Sequence, residues 1–119
     1  MKYHVIEEED FLLIKLSGKA KKNEAVLAKR KLANIVKGKN VKVIMDFKEL
    51  DTAEPLVLLG VINSLKKEIG QLRGGLKLCS LKTDILRYFK ENHMDQIFMI
   101  CENKDMAKNS DWRLYHGGR

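Results

Sequence analysis

The stretch VKVIMDFKELDTAEPLVLLGVINSLKKEIGQLRG, residues 41–74, decides how the rest of the chain is interpreted. Residues 41–47 are apolar and rich in β-branched side chains, a pattern that predicts a short central strand. Residues 48–54 are mostly polar and predict a turn. Residues 55–72 are apolar with helical periodicity, so the stretch as a whole predicts a strand, a turn and a long helix.

The start of this helix has several favourable residue types. Asp51 or Thr52 is expected to cap it, because short polar side chains accept hydrogen bonds from the free N–H groups of a first turn. Glu54 suits the positive end of the helix dipole, and Pro55 suits the first helical position.

The helix carries more apolar residues than a single buried stripe needs. A helix start that is apolar on all sides is either covered by its own fold or offered to a partner, and the sequence leaves both possibilities open. The stripe consists of Leu58, Ile62, Leu65, Ile69 and Leu72, and the additional apolar residues are Leu56, Val57, Leu59 and Val61.

Length and composition favour one folded domain. The chain has 119 residues, 45% of them hydrophobic, with one proline and eight glycines, which fits a single domain over residues 1–119. The net charge is +7. The lysines are spread over several segments without interleaved aromatic residues, so nucleic-acid binding is not predicted.

The absence of a signal peptide and of a membrane span predicts a cytoplasmic protein. The first ten residues are polar and acidic, unlike a signal peptide, and no apolar run reaches the roughly 20 residues of a membrane span. Cys79 and Cys101 lie in apolar, strand-like segments. They are expected to be buried thiols rather than a disulfide.

Strands and helices alternate along the rest of the chain. An opening hairpin is followed by repeated strand–helix units, which predicts an α/β fold with a mixed, mostly parallel sheet of about five strands and about four helices. Residues 117–119 are expected to be a frayed tail. The predicted elements are strands 3–6 and 11–16, helix 24–36 capped by Asn23, strand 41–47, helix 55–72, strand 76–81, helix 84–92 capped by Thr83, strand 97–101 and helix 104–115.

Catalytic patterns are not found. His4, His93 and His116 lie in unrelated segments without metal-ligand spacing. Neither a nucleophile elbow nor a phosphate-binding glycine loop is present. Asp46 and Asp51 flank the end of the central strand, where a magnesium ion could bind, but a structural role for each is the simpler interpretation. The sequence therefore predicts a protein that is not an enzyme and has no cofactor and no metal site.

Two segments resemble the STAS domain, the fold of anti-sigma-factor antagonists. The first is the strand VIMDF, residues 43–47, followed by a turn and an apolar helix. The second, residues 76–107, contains LKLC, ILRYF and MDQIFMI in the order of strand, helix and final strand that the family shows. The resemblance covers nearly the whole chain and implies a STAS-like fold.

The turn into the long helix departs from the family pattern. Phosphorylatable members carry Asp-Ser-Ser-Gly-Leu there, and an anti-sigma factor with kinase activity phosphorylates a serine. Aligned without a gap from Asp46, this chain has EPLVL at residues 54–58, which places Pro55 where the acceptor hydroxyl would stand. A shorter-loop alignment makes Thr52 the possible phosphoacceptor instead.

The resemblance implies a regulatory, protein-binding module in signalling and transcription regulation. Its partner would be an anti-sigma factor or a related serine kinase, docked on residues 51–61, and a homodimer is a further option. The alternative is a scaffold or transporter-associated STAS subunit of a larger assembly. The predicted partner-binding residues are Asp51, Glu54, Leu56, Val57 and Leu59.

Overall fold

Strands and helices alternate throughout the computed structural model, which describes residues 1–37 and 41–114. The expected tail, residues 117–119, lies outside the described residues. In chain order the elements are β1 (Lys2–Glu7), β2 (Leu12–Ala20), α1 (Lys22–Val36), β3 (Lys42–Ala53), α2 (Pro55–Gln71), β4 (Gly75–Cys79), α3 (Thr83–Glu91), a 3₁₀ helix (Met94–Gln96), β5 (Met99–Cys101) and α4 (Lys104–Asn109).

The strands form one five-stranded sheet in the order β1-β2-β3-β4-β5. β1 and β2 are an antiparallel hairpin, whereas every later pair is parallel. A helix lies in each connection between parallel neighbours, as parallel pairing requires a crossover. The predicted α/β class, the mixed and mostly parallel sheet and the N-terminal hairpin are confirmed.

One face of the sheet, together with α1, α2 and α3, forms the main core. Alternate residues of the three central strands point to this face, so each strand contributes several buried apolar side chains. Fully buried members of this core include Ile14, Leu16, Leu32, Val43, Met45, Leu58, Ile62, Leu65, Ile69, Leu76, Leu78 and Phe89.

Far fewer apolar side chains pack on the opposite face of the sheet. Its buried apolar cluster consists of Leu13, Ile44, Cys79 and Ala107 of α4, with Trp112 packed against it. Lys77 is fully buried beside this cluster, and its Nζ lies 4.2 Å from the centre of the Trp112 ring.

β2 and β3 continue well beyond their predicted ends. Residues 17–20 and 48–53, expected as a loop and a turn, extend β2 and β3 because the two strands stay paired to Ala20 and Ala53. The pairing shifts by one residue at two places, opposite Lys15–Ser17 and opposite Gly18–Lys19, and β3 carries the extra residue each time. A bulge absorbs such an extra residue, so the two strands stay paired beyond it.

The predicted caps of α1 and α3, and the predicted end of the last helix, are wrong. Asn23 lies inside α1 and accepts a hydrogen bond only from the adjacent Glu24 N–H, while Lys21 is the cap residue. Thr83 is the first residue of α3 rather than its cap. The last helix ends at Asn109. Tyr115, its expected end, lies outside the described residues.

Candidate functional site

The end of β3 and the start of α2 build the predicted docking site. Glu54 joins the two elements with an extended backbone, and its carbonyl accepts the Leu58 N–H at 3.0 Å. Pro55 is the first helical residue, where a missing N–H costs nothing because that position has no intrahelical acceptor. The chain therefore turns from strand to helix within one residue.

Asp51 and Thr52 do not cap α2, contrary to the prediction. Both lie in β3, where Thr52 pairs with Lys19 of β2 and Asp51 falls in a register shift. The cap residue is Glu54, and it makes no side-chain capping hydrogen bond. The side chains of Asp51, Thr52 and Glu54 are all exposed, so they form a polar edge before the helix.

The three apolar residues predicted as anchors differ in exposure. Leu56 is 70% exposed. Val57 and Leu59 are partly buried and pack against the main core. The two possibilities that the sequence left open therefore apply to different residues: the fold partly covers Val57 and Leu59, and it leaves Leu56 bare.

A groove between the first turns of α1 and α2 extends the apolar surface at Leu56. Val26 lines it from α1, Leu56 and Gly60 line it from α2, and its volume is about 340 Å³. Val26 is 53% exposed and the neighbouring Leu27 is 58% exposed. Neither residue was singled out as a surface residue in the sequence analysis.

Charged residues surround this groove, which we call the α1–α2 groove. Lys22 and Lys29 of α1 line it on one side and Glu54 lines it on the other. All three are exposed. An apolar centre with a charged rim is the usual arrangement of a protein-binding surface.

Asp46 and Asp51 do not form a metal site. Asp46 is buried and Asp51 is exposed. They lie five positions apart along β3, on the order of 15 Å, so a single ion cannot bind both. Among the described residues there is no group of three or more His, Cys, Asp or Glu side chains able to hold a metal ion.

The two cysteines are free thiols on neighbouring strands. Burial, followed by the negative charge of Asp46, raises the pKa of Cys79 to about 12. A thiol with such a pKa stays protonated at neutral pH and is a poor nucleophile. The prediction of buried thiols is confirmed for Cys79, while Cys101 is only partly buried.

No described helix has both the length and the apolar content that crossing a lipid bilayer would require.

Comparison with solved structures identifies the fold. A Thermotoga maritima protein described as a candidate anti-sigma factor antagonist superposes with a TM-score of 0.74 at 18% sequence identity, covering 89% of this chain and 91% of that one. The anti-sigma factor antagonist SpoIIAA in its unphosphorylated form gives 0.68 at 11% identity, covering 90% and 94%. A STAS-domain protein from Planctomyces limnophilus gives 0.60 at 16% identity, covering 88% and 93%.

The chain has the STAS fold. The similarity covers about nine tenths of this chain and of each neighbour. The sequence matches no protein-family model and no curated protein. At sequence identities below 20%, these similarities show that the fold is shared and nothing further. The resemblance to the STAS fold is thereby confirmed.

Proposed function

We propose that this chain is a cytoplasmic, non-catalytic regulatory module resembling anti-sigma-factor antagonists, and that it acts by reversible docking onto a protein partner. The observation that carries the proposal is the bare Leu56 side chain beside the α1–α2 groove. A large apolar side chain exposed in a groove with a charged rim gains free energy when a partner covers it.

The docking surface consists of the first two turns of α2 and the strand end before it. Leu56 is the central anchor, and the exposed parts of Val57 and Leu59 extend the apolar area. Asp51 and Glu54 are the acidic part of the rim. The partner class that the resemblance favours is an anti-sigma factor or a related serine kinase.

Control of this docking differs from the usual phosphorylatable pattern. Pro55, at the first position of α2, has no hydroxyl to accept a phosphate. Thr52 is the candidate acceptor, and it is an exposed residue three positions before the helix begins. Incubating the chain with its purified partner and ATP tests this role, since phosphorylation that persists in Thr52→Ala would exclude Thr52 as the sole acceptor.

The docking proposal is tested with Leu56→Asp. An aspartate in the first turn is compatible with the helix dipole, so the substitution should spare the fold while placing a charge at the anchor position. We expect affinity for the partner, isolated by native purification from the source organism and then titrated in pure form, to fall at least about tenfold.

Ile97→Asp is the matched control. Ile97 is 47% exposed and lies outside the α1–α2 groove, so its replacement should leave affinity unchanged. Equal binding by wild type and Leu56→Asp would refute the docking surface. Recovery of the chain in a large assembly, rather than in a small complex with one protein, would favour the scaffold alternative.

A further inference from the structure

A polar cleft lies on the sheet face opposite α1, α2 and α3. It sits where β4 ends and α4 begins, beside Asp46 of β3, and its volume is about 330 Å³. Ligands of open α/β sheets bind in the crevice outside the carboxyl ends of the strands. The cleft has that position, and it is separated by the sheet from the α1–α2 groove.

Asp46 is a buried carboxylate with an incomplete set of hydrogen bonds. Only 5% of the residue is exposed. Its Oδ1 accepts the Lys48 N–H at 3.0 Å, and its Oδ2 accepts no hydrogen bond within residues 1–37 and 41–114. A buried carboxylate oxygen without a donor is costly, and in native proteins such an oxygen usually has a partner. Because Asp46 lines the cleft, a ligand there can supply that donor.

The rest of the cleft carries charges of both signs that are not paired with each other. Lys15, Lys48 and Lys104 are the cations, and Glu49 and Asp105 join Asp46 as the anions. None of them belongs to an ion pair in the described part of the chain. With three positive and three negative groups, the cleft has no net charge to attract a polyanion or a polycation.

The lining of the cleft favours a small zwitterion over a metal ion. The described residues hold no cluster of three metal-ligating side chains. The volume is at the lower end of the roughly 300–1,000 Å³ typical of ligand pockets, so the ligand is small. We propose that the cleft binds a free α-amino acid, whose ammonium group donates to Asp46 Oδ2 and whose carboxylate contacts the lysines.

Ligand chemistry gives the first test. The purified full chain is titrated with each standard amino acid in turn, and the melting temperature and backbone NMR shifts are recorded. An amino acid that binds is expected to raise the melting temperature by about 5 °C at ten times its dissociation constant, and to shift the amide signals of residues near the cleft.

Glycine betaine is the critical control compound. It carries the same two charges as glycine but has no N–H group to donate to Asp46, so it should not bind. Sodium phosphate and putrescine, each with charge of one sign, should not bind either. No response to any amino acid would overturn the proposal, and so would betaine or phosphate binding as well as the best amino acid.

Variants give the second test. Asp46→Asn and Lys104→Gln should each weaken amino-acid binding at least tenfold. Lys104 is a rim residue that is not buried, so its variant remains informative if Asp46→Asn fails to fold. Lys67→Gln, at an exposed position of α2 outside both the cleft and the α1–α2 groove, should bind the amino acid normally. Normal amino-acid binding by Lys104→Gln, or by a folded Asp46→Asn variant, would overturn the site, whatever the outcome of the docking experiments.

Discussion

Lys77 is a fully buried cation held by three oxygen atoms. Its Nζ donates to Ala107 O at 2.7 Å and to Ser110 O and Oγ at 2.7 and 2.8 Å. Lys77→Met leaves those acceptors without their donor and also removes the cost of burying a charge. We expect the first effect to dominate, with a loss of about 2 kcal/mol in the free energy of unfolding. Urea denaturation followed by the fluorescence of Trp112 measures it.

The pH dependence of this difference in stability reports the opposing cost of burying the Lys77 charge. Burial lowers the pKa of Lys77 from its ordinary value of 10.5. The folded state therefore holds fewer protons at this site than the unfolded state at pH values just below 10.5, so the stability contributed by Lys77 rises as pH increases towards 10.5. The difference between wild type and Lys77→Met should grow accordingly.

Lys15→Met is the control for Lys77. Lys15 points to the same sheet face but is only half-buried, and it has no ion pair within the described residues. Its replacement should change the free energy of unfolding by less than about 0.5 kcal/mol, without a pH trend. Equal losses in the two variants would show that the hydrogen bonds of Lys77 add nothing measurable.

Residue-scale predictions from the sequence succeeded for the core and failed for the caps. The stripe of Leu58, Ile62, Leu65 and Ile69 is fully buried as expected, because helical periodicity determines which face packs. Thr52 was expected to cap α2, but the continued pairing of β3 with β2 holds it in the strand. Where a strand ends depends on its neighbour, and a single segment of sequence does not contain that information.

At the scale of elements, alanine substitution is expected to have opposite effects on stability at two glycines, one inside α2 and one just after it. A Cβ on Gly74 would lie 1.9 Å from the Val41 carbonyl oxygen and 3.0 Å from Ile69 Cγ2. A Cβ on Gly60, inside the helix, would meet nothing within 4 Å. We expect Gly74→Ala to lower the free energy of unfolding by about 2–3 kcal/mol, and Gly60→Ala to raise it by about 0.5–1 kcal/mol.

Chemical denaturation of the two variants beside wild type checks this pair. Both substitutions add one methyl group. The difference between their effects on the free energy of unfolding therefore reflects the different surroundings of the two glycines. A stable Gly74→Ala variant would show that the α2–β4 connection can move away from Val41. A destabilised Gly60→Ala variant would show that α2 cannot accept an added methyl group at Gly60, despite the open space around it.

Element existence was predicted better than element boundaries. All five strands and four helices were expected from periodicity, and the 3₁₀ helix at Met94–Gln96 was not. β3 was expected to end at Phe47 but continues to Ala53. Its last six residues are mostly exposed and polar, so no apolar alternation marks them as a strand; pairing with β2 determines their conformation.

At the scale of the whole molecule, the order of elements was enough to predict the sheet. Helical connections between strands require parallel neighbours, and the short acidic turn at residues 7–10 requires an antiparallel hairpin. The role of α4 was not predictable in the same way. Lys77 lies in an otherwise apolar strand of five residues. Only the assembled structure shows that the carbonyls of Ala107, within α4, and Ser110, just after it, accept hydrogen bonds from its ammonium group.

The unequal cover of the two sheet faces predicts unequal local stability. Three helices pack on one face, whereas α4 has six residues and a single buried one, Ala107. With so little apolar area to lose, α4 should open without global unfolding, while β3 and β4 should open only with it.

In hydrogen exchange, the α4 amides should therefore exchange at least about a hundredfold faster than those of β3. Lys77→Met should speed exchange in α4 more than in α2. If instead α4 and β3 exchange at one common rate, both faces of the sheet unfold together and the Lys77 contacts are part of the global core.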